Sequence, residues 1–403
     1  MVNQERVLTA FRENRLTEEF FAEHTGYGID DVGRETMDAV FSDVLGAEAC
    51  CVRMQMVSGT HAIACALFGN LAPGEKMVGL TGKPYDTLHE VIGSADSPKR
   101  GSLRALGVKY EELDLTGFLG ELDSEGRFAP EKEAAILARV QAVKPARLYH
   151  IQKSRGYSMQ RPTLSNSQIE RLIALVRQVD PASYFFVDNC YGEFVEDAEP
   201  LSHGADLIAG SLIKNPGGGL ALTGGYVAGK KELVDGALDR LTAPGIGGHL
   251  GVTFNQNRLV FQGLFMAPSV VLSAVHGAIL TAAVFHELGM KVHPGPEAPR
   301  YDIIQAIEFG ERERLINFCR ALQTYSPVNA HVAPEPSAMP GYADQVIMAG
   351  GSFVEGATIE LSADGPLREP YAAYLQGGLS YLHVKCAVQG ALILSESGVT
   401  PFF

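Results

Sequence analysis

The feature that most constrains this chain is the alternation of short apolar runs with helical segments. Five runs are apolar almost throughout and are interpreted as strands: 76–82, 146–152, 183–189, 206–212 and 224–230. Strands that are apolar on both faces are typical of a parallel sheet covered by helices. Between them, residues 165–179 show apolar side chains at helical spacing after a serine. The pattern predicts an α/β fold with a mostly parallel sheet flanked by helices.

The length of 403 residues exceeds what one small core needs, so a large unit with a smaller one is expected. The sequence pattern changes after about residue 265, where a long apolar helix is followed by a proline-rich stretch and a second α+β region. We therefore predict three parts, an N-terminal arm, a large domain and a smaller C-terminal α+β domain, over residues 1–45, 46–265 and 266–403.

Charge and cysteine usage narrow the functional class. The formal net charge of −14 disfavours nucleic acid or an anionic membrane as the main partner, although a local basic pocket stays possible. The N-terminus reads as a charged amphipathic helix rather than a signal peptide, and no apolar run is expected to reach the roughly 20 residues that span a bilayer. The six cysteines lack CxxC spacing, so neither a metal site nor a disulfide frame is predicted. We expect a cytoplasmic protein with reduced thiols.

A first candidate site is the helix start formed by Ser58, Gly59 and Thr60. Free backbone N–H groups and the positive end of the helix dipole suit a phosphate or carboxylate there. The plainer alternative is an ordinary serine cap. His61, the next residue, is equally well explained as a structural side chain.

Two charged residues stand at the ends of apolar strands. Asp188 would be costly to bury without a cation, although a cap or loop hydrogen bonder is the alternative. Lys214 lies between an apolar run and a set of glycines. If it is buried, its pKa should fall from ~10.4 towards neutrality, which makes the amine a nucleophile. The alternative is a lysine that extends to the surface.

Tyr85 follows a strand and is a candidate to place its ring on a planar ligand, although packing is the commoner role of such a tyrosine. Taken together, the four signals match one cofactor. Pyridoxal phosphate needs a phosphate seat, an acid for its pyridine nitrogen, an aromatic plate and a lysine for its aldehyde. The combination predicts a pyridoxal phosphate site.

Long blocks of the sequence also resemble a known family. They resemble the methionine gamma-lyase-like proteins often labelled aluminium resistance protein, which are relatives of cystathionine beta-lyase. The resemblance covers nearly the whole chain and implies the aspartate-aminotransferase-like fold, fold type I, with pyridoxal phosphate on Lys214. The blocks are GYGIDDVGRETMD, SGTHAIACALFG, GKPYDTLHEVIG, FVDNCYGEFVE, GSLIKNPGGGLALTGGY and IELSADGPLREPY.

The resemblance implies a role for each candidate. Asp188 matches the acid that pairs with the pyridine nitrogen, and Tyr85 matches the stacking tyrosine. Ser211 matches a serine that helps to hold the phosphate, together with the loop Ser58–Thr60. Ile213 is a departure, because the lyases usually have threonine there.

The resemblance also implies a shared active site. In the cystathionine lyase group, a Tyr-x-Arg pair from a neighbouring subunit reaches the phosphate. Tyr27 and Arg34 are the looser counterparts here. We therefore expect a homodimer or homotetramer whose subunits contribute to one another's sites.

For the amino acid substrate, an arginine near the C-terminal end should hold the carboxylate. Arg368 is the first candidate, with a surface or interdomain role as its alternative. Arg155 is the rival, since it follows a predicted strand and faces the same region.

The implied reaction is elimination of a thiol from a sulfur amino acid to give a 2-oxoacid and ammonia, with the Lys214 amine taking the α-proton. Loss from Cβ and loss from Cγ are both left open. Two other functions also remain, namely an aminotransferase or decarboxylase on the same fold, and a non-catalytic regulatory protein that keeps the cofactor. A nucleotide-binding role for NPGGG is disfavoured because no GxxxxGK[ST] is present.

Overall fold

The computed structural model describes residues 1–27, 31–96 and 98–403. Its helices are α1 Val2–Glu13, α2 Val32–Leu45, α3 Gly59–Asn70, α4 Asp86–Ile92, α5 Pro130–Val143, α6 Asn166–Val179, α7 Lys231–Leu241, α8 Asn257–Glu287, α9 Arg312–Gln323 and α10 Tyr381–Glu396. Its strands are β1 Ala49–Arg53, β2 Lys76–Gly79, β3 Lys109–Glu112, β4 Leu148–Gln152, β5 Tyr184–Asp188, β6 Leu207–Ser211, β7 Gly225–Gly229, β8 Val292–His293, β9 Ile304–Glu308, β10 Val346–Ala349, β11 Ser362–Pro366 and β12 Ala372–Gln376.

A seven-stranded sheet forms the centre of the larger part, in the order β1-β7-β6-β5-β4-β2-β3. The neighbouring strands β6, β5, β4, β2 and β3 are parallel to one another. All five predicted strands are confirmed, as β2, β4, β5, β6 and β7. β7 departs from the predicted parallel arrangement because it pairs antiparallel with both β6 and β1. The connection from β6 to β7, residues 212–224, contains one 3-10 turn and no α-helix, whereas a parallel partner usually needs a helical crossover.

Helix α6 shows how the local sequence sets an element. Ser165 Oγ accepts a hydrogen bond from the Gln168 N–H at 3.1 Å, and the Ser165 N–H donates to Gln168 Oε1 at 2.9 Å. This reciprocal pair satisfies two donors that a helix start otherwise leaves free. The apolar side of the helix, with Ile169 and Leu172, is buried against the sheet. The predicted helix is confirmed.

A second, smaller sheet is antiparallel throughout, in the order β10-β11-β12-β9-β8. Its own core includes a cluster of aromatic rings, in which Phe318 lies 4.9 Å from Phe309 and 5.5 Å from Phe285. The smaller C-terminal α+β region is therefore confirmed. The predicted boundary at residues 265 and 266 lies inside α8, and the exact domain limits stay predictions.

Helix α8 corrects one expectation. It is 31 residues long and, by length and composition alone, apolar enough to cross a membrane. The expectation that no apolar run reaches that length was wrong, since the helix begins at Asn257 and continues through Pro268. Its side chains Val260, Leu264 and Val271 are buried in the core of the larger part. In this structure α8 is a core helix.

Backbone crosses backbone where α8 meets the glycines after Lys214. A Cβ built on Gly263 would lie 2.2 Å from the carbonyl oxygen of Gly217, and one built on Gly218 would lie 2.3 Å from the carbonyl oxygen of Gly263. No side chain fits at this crossing. The lysine loop is therefore fixed against the core helix by the absence of a Cβ on each side.

We predict that Gly263→Ala lowers the free energy of unfolding by about 1–3 kcal/mol, because the methyl group has no space against rigid backbone. Urea unfolding measures the change. Ser269→Ala on the exposed side of the same helix is the matched control and should change stability by less than about 0.5 kcal/mol. Equal effects of the two substitutions would contradict the tight crossing.

Candidate active site

A cavity of about 230 Å³ opens at the carboxyl edge of the parallel strands. Strands β4, β5 and β6 end there at Gln152, Asp188 and Ser211. Carboxyl edges are where open α/β sheets bind ligands. The structure brings seven of the predicted residues together as lining of this one cavity: Ser58, Gly59, Thr60, Tyr85, Asp188, Ser211 and Lys214.

The start of α3 forms one wall. Ser58 Oγ accepts a hydrogen bond from the His61 N–H at 3.1 Å, so the serine is a helix cap as well as a lining residue. His61 Nδ1 accepts from the Val57 N–H at 3.3 Å, which agrees with its structural interpretation. A Cβ on Gly59 would lie 3.2 Å from Cys190 Sγ and 3.3 Å from Ser211 Cβ. A side chain at position 59 would therefore narrow the gap between α3 and β6.

The corner of the cavity between the start of α3 and the end of β6 fits a phosphate group. Ser211 Oγ is buried and has no hydrogen-bond partner in the structure. A buried hydroxyl without a partner costs free energy unless a ligand satisfies it. The helix dipole of α3 favours negative charge at the same place. Ile213 also lines the cavity, so the side chain next to the lysine offers no hydroxyl here.

Tyr85 spans the corner. Its Oη lies 3.2 Å from Thr60 Oγ1, and its N–H donates to Gln152 Oε1 at 3.1 Å. Burial raises the pKa of the Tyr85 phenol well above its ordinary value, so the ring is neutral. Both ends of the residue are held, which suits a ring that packs on a flat ligand.

Asp188 is 4% exposed, and the Cys190 N–H donates a hydrogen bond to its Oδ1 at 3.1 Å. Burial raises the pKa of its carboxyl, while Lys214 pulls the pKa down. A carboxylate in this position needs a nearby positive charge. The structure shows the loop hydrogen bond, and the ligand role of Asp188 stays a prediction.

Lys214 Nζ lies 3.9 Å from the centroid of the Tyr191 ring, a cation–π distance. Burial lowers the pKa of the amine, but Cys190, Tyr191 and Asp188 raise it, and the resulting pKa lies well above its ordinary value. The lowered pKa expected from the sequence is wrong for this reason. Lys214 faces the cavity and does not extend to the surface.

Four further tyrosines line the cavity, are called the tyrosine wall below, and were not predicted from the sequence. Tyr157, Tyr191, Tyr342 and Tyr374 line the same cavity as Tyr85. They come from distant parts of the chain, so only the fold brings them together. The signal available for Tyr191 was its place between Asp188 and Lys214 in the sequence. The other three gave none.

The buried Asp364 contacts one residue of the tyrosine wall. Tyr157 Oη donates to Asp364 Oδ2 at 2.7 Å, and Gln376 Nε2 donates to the same carboxylate at 3.2 Å. Burial raises the pKa of Asp364 to about 7, although the hydrogen bond from Tyr157 acts in the opposite direction. The carboxyl group fixes the direction of the Tyr157 hydroxyl.

The two candidate arginines have different surroundings. Arg368 is 39% exposed and is paired with Asp344 at 3.2 Å and with Asp86 at 3.7 Å. Arg155 is fully buried, and its Nε and Nη1 atoms have no hydrogen-bond partner in the structure. Arg155 Nη2 contacts His293 Nδ1. Of the two, Arg155 has the unused donors.

The other buried arginines show how unusual this is. Arg34 and Arg53 each have a carboxylate, from Asp31 at 3.9 Å and from Asp38 at 2.7 Å. Among the residues that the structure describes, Arg155 is the one buried arginine with no such ion pair. Burial lowers the pKa of Arg155, although the Asp302 carboxylate acts in the opposite direction. Arg155 lines an adjoining cavity of about 360 Å³, which shares Tyr85 and Tyr157 with the first, and its desolvated charge suits an anion.

Arg34 is 1% exposed and binds its own chain, donating to the carbonyls of Gly26 at 3.2 Å and His249 at 3.2 Å. Tyr27 pairs with Leu250 and is 84% exposed. The structure thus gives Arg34 a role in fixing the segment that presents Tyr27. A cross-subunit role for either residue stays a prediction.

The chain is similar to known proteins over nearly its whole length. The family model described as methionine gamma-lyase matches residues 1–395. The uncharacterized protein YnbB of Bacillus subtilis is 47% identical over 391 residues, covering 97% of this chain and 90% of that protein. The solved structure of a carbon-sulfur lyase involved in aluminum resistance from Clostridium novyi NT is 44% identical, with a TM-score of 0.87, and covers 97% of this chain and 89% of that one.

The fold extends to more distant proteins. The pyridoxal-5'-phosphate dependent protein YhfS from Escherichia coli is 15% identical, with a TM-score of 0.63 over 97% of this chain and 95% of that one. At that identity the likeness shows the fold alone. The predicted aspartate-aminotransferase-like fold, fold type I, is confirmed.

We predict that Asp364→Asn stabilises the protein in a pH-dependent way. The carboxyl pKa rises from 3.8 in the free chain to about 7 in the fold, so the native state holds its proton more tightly. Native stability is therefore lost as pH rises from about 4 to about 7. Relative to the native protein, the variant should gain up to about 4 kcal/mol across that window, from about 1.4 kcal/mol per pKa unit.

Urea unfolding at a series of pH values measures the gain. Glu355→Gln, at an exposed position of the same region, is the control and should show a small difference. A difference between Asp364→Asn and the native protein that does not change with pH would contradict the raised pKa.

Proposed function

The chain belongs to the methionine gamma-lyase family, and we propose that it is a pyridoxal-phosphate-dependent lyase that releases a thiol from a sulfur amino acid. The products would be a 2-oxoacid, ammonia and the thiol, with one water consumed. The observation that carries the proposal is the single cavity that joins an unpartnered serine hydroxyl, a buried carboxylate, a tyrosine ring and a lysine amine. The Clostridium novyi relative, described as a carbon-sulfur lyase, supports the reaction class.

The start of α3 and the end of β6 would hold the phosphate. Ser211 Oγ has an unused donor, Ser58 and Gly59 present the N-terminus of the helix, and Thr60 places a second hydroxyl beside Tyr85. Backbone N–H groups and hydroxyls are the usual phosphate ligands at such a place. Gly59 keeps the corner open.

Asp188 would hold a proton at the pyridine nitrogen. Its carboxylate is buried, and burial makes an ionised acid costly unless a cation lies against it. A protonated ring nitrogen is such a cation. Pyridoxal phosphate, when bound, supplies an electron sink for the charge that develops at the substrate Cα.

Lys214 would anchor the cofactor through its ε-amine and move the α-proton. The amine acts as a base only when it is neutral. In the structure, Cys190, Tyr191 and Asp188 raise its pKa against the effect of burial. A cation held against Asp188 would remove one of these three contributions, so burial, which lowers the pKa, would gain weight.

Arg155 would bind the substrate carboxylate. Its Nε and Nη1 donors are free, and its charge has no carboxylate partner among the described residues. Arg368 already has two acidic partners. We therefore assign the carboxylate to Arg155 and give Arg368 the interdomain role.

The tyrosine wall would orient the substrate and keep water away from the reacting carbon. Tyr157 is hydrogen-bonded to Asp364 and lines both this cavity and the adjoining cavity of about 360 Å³. Its hydroxyl is a candidate proton donor to a departing sulfur. Loss from Cβ and loss from Cγ would use the same wall, and product identification distinguishes them.

We predict that borohydride reduction of the purified protein fixes the cofactor to the peptide that contains Lys214. Lys214→Ala should abolish thiol release and prevent the covalent label, while the phosphate seat still retains cofactor without a covalent bond. Lys153 is an internal control in the peptide map, because it is also buried but is paired with Glu196 at 2.6 Å. Label on Lys153, or on any peptide without Lys214, would refute the assignment.

We predict that Arg155→Met lowers kcat/KM at least about tenfold, chiefly through KM, because hydrogen bonds to a charged group contribute about 1.5–3 kcal/mol each. Steady-state kinetics of the native enzyme and the variants with one thioether amino acid measures the change. Arg368→Met is the matched control and should change KM much less, since the charge of Arg368 is already compensated by Asp344 and Asp86. The opposite order of effects would return the carboxylate to Arg368.

A further inference from the structure

A histidine of the smaller part contacts the guanidinium group of Arg155. Arg155 follows β4 of the seven-stranded sheet, whereas His293 ends β8 at the edge of the five-stranded sheet. Arg155 Nη2 contacts His293 Nδ1 within hydrogen-bond distance. Since a guanidinium group has donors only, His293 Nδ1 is the acceptor in this contact and carries no proton. The contact therefore gives Arg155 a partner without a negative charge.

The surroundings of His293 agree with a neutral imidazole. Burial lowers the pKa of His293 to about 4. The charges of Arg155 and Arg300 act in the same direction, and the charge of Asp302 acts in the opposite one. At neutral pH the ring is therefore uncharged, as an acceptor at Nδ1 requires.

The carboxylate of Asp302 raises the pKa of Arg155, but its oxygens have other partners. Asp302 is 2% exposed and accepts hydrogen bonds from Ser154 Oγ at 2.9 Å, Thr163 Oγ1 at 2.6 Å and the Ile304 N–H at 3.0 Å. In the described part of the chain it forms no ion pair with Arg155. Asp302 therefore joins the two sheets without compensating the arginine in direct contact.

Arg53 shows what a charged acceptor does in the same chain. Its Nη1 atom donates to Asp38 Oδ1 at 2.7 Å and to Oδ2 at 2.8 Å. Such an ion pair compensates the positive charge and leaves less attraction for another anion. His293 instead occupies only Nη2 and leaves Nε and Nη1 of Arg155 without partners. A neutral acceptor thus fixes the guanidinium and leaves its charge for a ligand.

We propose that His293 is a positioning residue, which as a neutral acceptor fixes Arg155 so that the remaining donors and the charge of the guanidinium bind the substrate carboxylate. This inference rests on the proposed function, which assigns that carboxylate to Arg155. Arg155 lines the adjoining cavity, whereas His293 is absent from the described lining. His293 therefore acts on a ligand there through Arg155.

Substitutions at position 293 separate charge from shape. The side-chain oxygens of asparagine and aspartate are attached to Cγ, as Nδ1 of histidine is, so both residues keep an acceptor with a similar reach. His293→Asn keeps the acceptor neutral, His293→Asp makes it anionic, and His293→Leu removes it. A purely structural contact would accept aspartate as well as asparagine, because an ion pair replaces the hydrogen bond. The proposal predicts that aspartate impairs binding.

An unreactive pair of probes measures the effect without turnover. Desaminomethionine has a thioether and a carboxylate but no amine, and its primary amide replaces the carboxylate by a neutral group. In calorimetry the native holoenzyme should bind the acid about tenfold or more tightly than the amide, as a charge-assisted contact implies. His293→Asn should keep most of this preference, His293→Leu should keep less, and His293→Asp should reduce it to near unity. Equal preferences in His293→Asp and His293→Asn, or none in the native protein, would overturn the proposal.

A control variant and a stability measurement exclude indirect effects. His331→Asp adds the same charge at an exposed position of the smaller part and should leave the preference unchanged. Urea unfolding should show that His293→Asp is at least as stable as His293→Leu, because aspartate would form an ion pair with Arg155. If His293→Asp does not fold, the other two variants decide, and equal affinity of His293→Asn and His293→Leu for the acid would overturn the proposal.

Thiol release is measured separately, so that the two proposals fail in different ways. With a sulfur amino acid as substrate, His293→Asp should raise KM more than it lowers kcat. Thiol release with the same KM in His293→Asp and His293→Asn would support the lyase and overturn the role of His293. The predicted binding pattern with no thiol release from any sulfur amino acid would support the role of His293 and overturn the lyase.

Discussion

The buried charge of Asp188 is the constraint on which the rest of the site depends. A carboxylate at the end of a central strand is tolerated only if a positive charge lies nearby and donors reach its oxygens. The fold supplies Lys214 after the neighbouring strand and the N–H of Cys190. Because β5 and β6 are parallel neighbours, both groups emerge at one edge. The remaining space between them is where a ligand with its own cation fits.

A buried polar network behind the cavity fixes this edge. Tyr226 Oη donates to Glu193 Oε1 at 2.9 Å, and Asn215 Nδ2, next to Lys214, donates to the carbonyl oxygen of Glu193 at 2.9 Å. Burial raises the pKa of Glu193 to about 8, so the side chain is mostly neutral at pH 7. A neutral acid can sit in the core without a counter-charge. The lysine loop is thereby held by β7 on one side and by the glycine crossing with α8 on the other.

The sequence predicted the parts that depend on local pattern and on strand order. Lys214 and Asp188 follow apolar strands, and strand ends in a parallel sheet meet at one edge, so their proximity could be foreseen. The antiparallel direction of β7 and the early start of α8 could not be foreseen, because the path of the chain after β6 and the tertiary packing decide them. The sequence also gave the wrong direction for the Lys214 pKa, since the opposing groups come together only in the fold. Asp364 and Tyr157 lie far apart in sequence, and no local signal joins them.

The two arginines show why position in the chain is a weak guide to a ligand contact. Arg368 lies where a family resemblance places a carboxylate ligand, yet its charge is already compensated by two acids. Arg155 lies after a strand, as many structural residues do, yet it is buried with unused donors. An arginine that is buried without an anion destabilises the fold unless a ligand supplies one. The proposal for the carboxylate site therefore rests on the missing ion pair of Arg155 rather than on the position of either arginine in the chain.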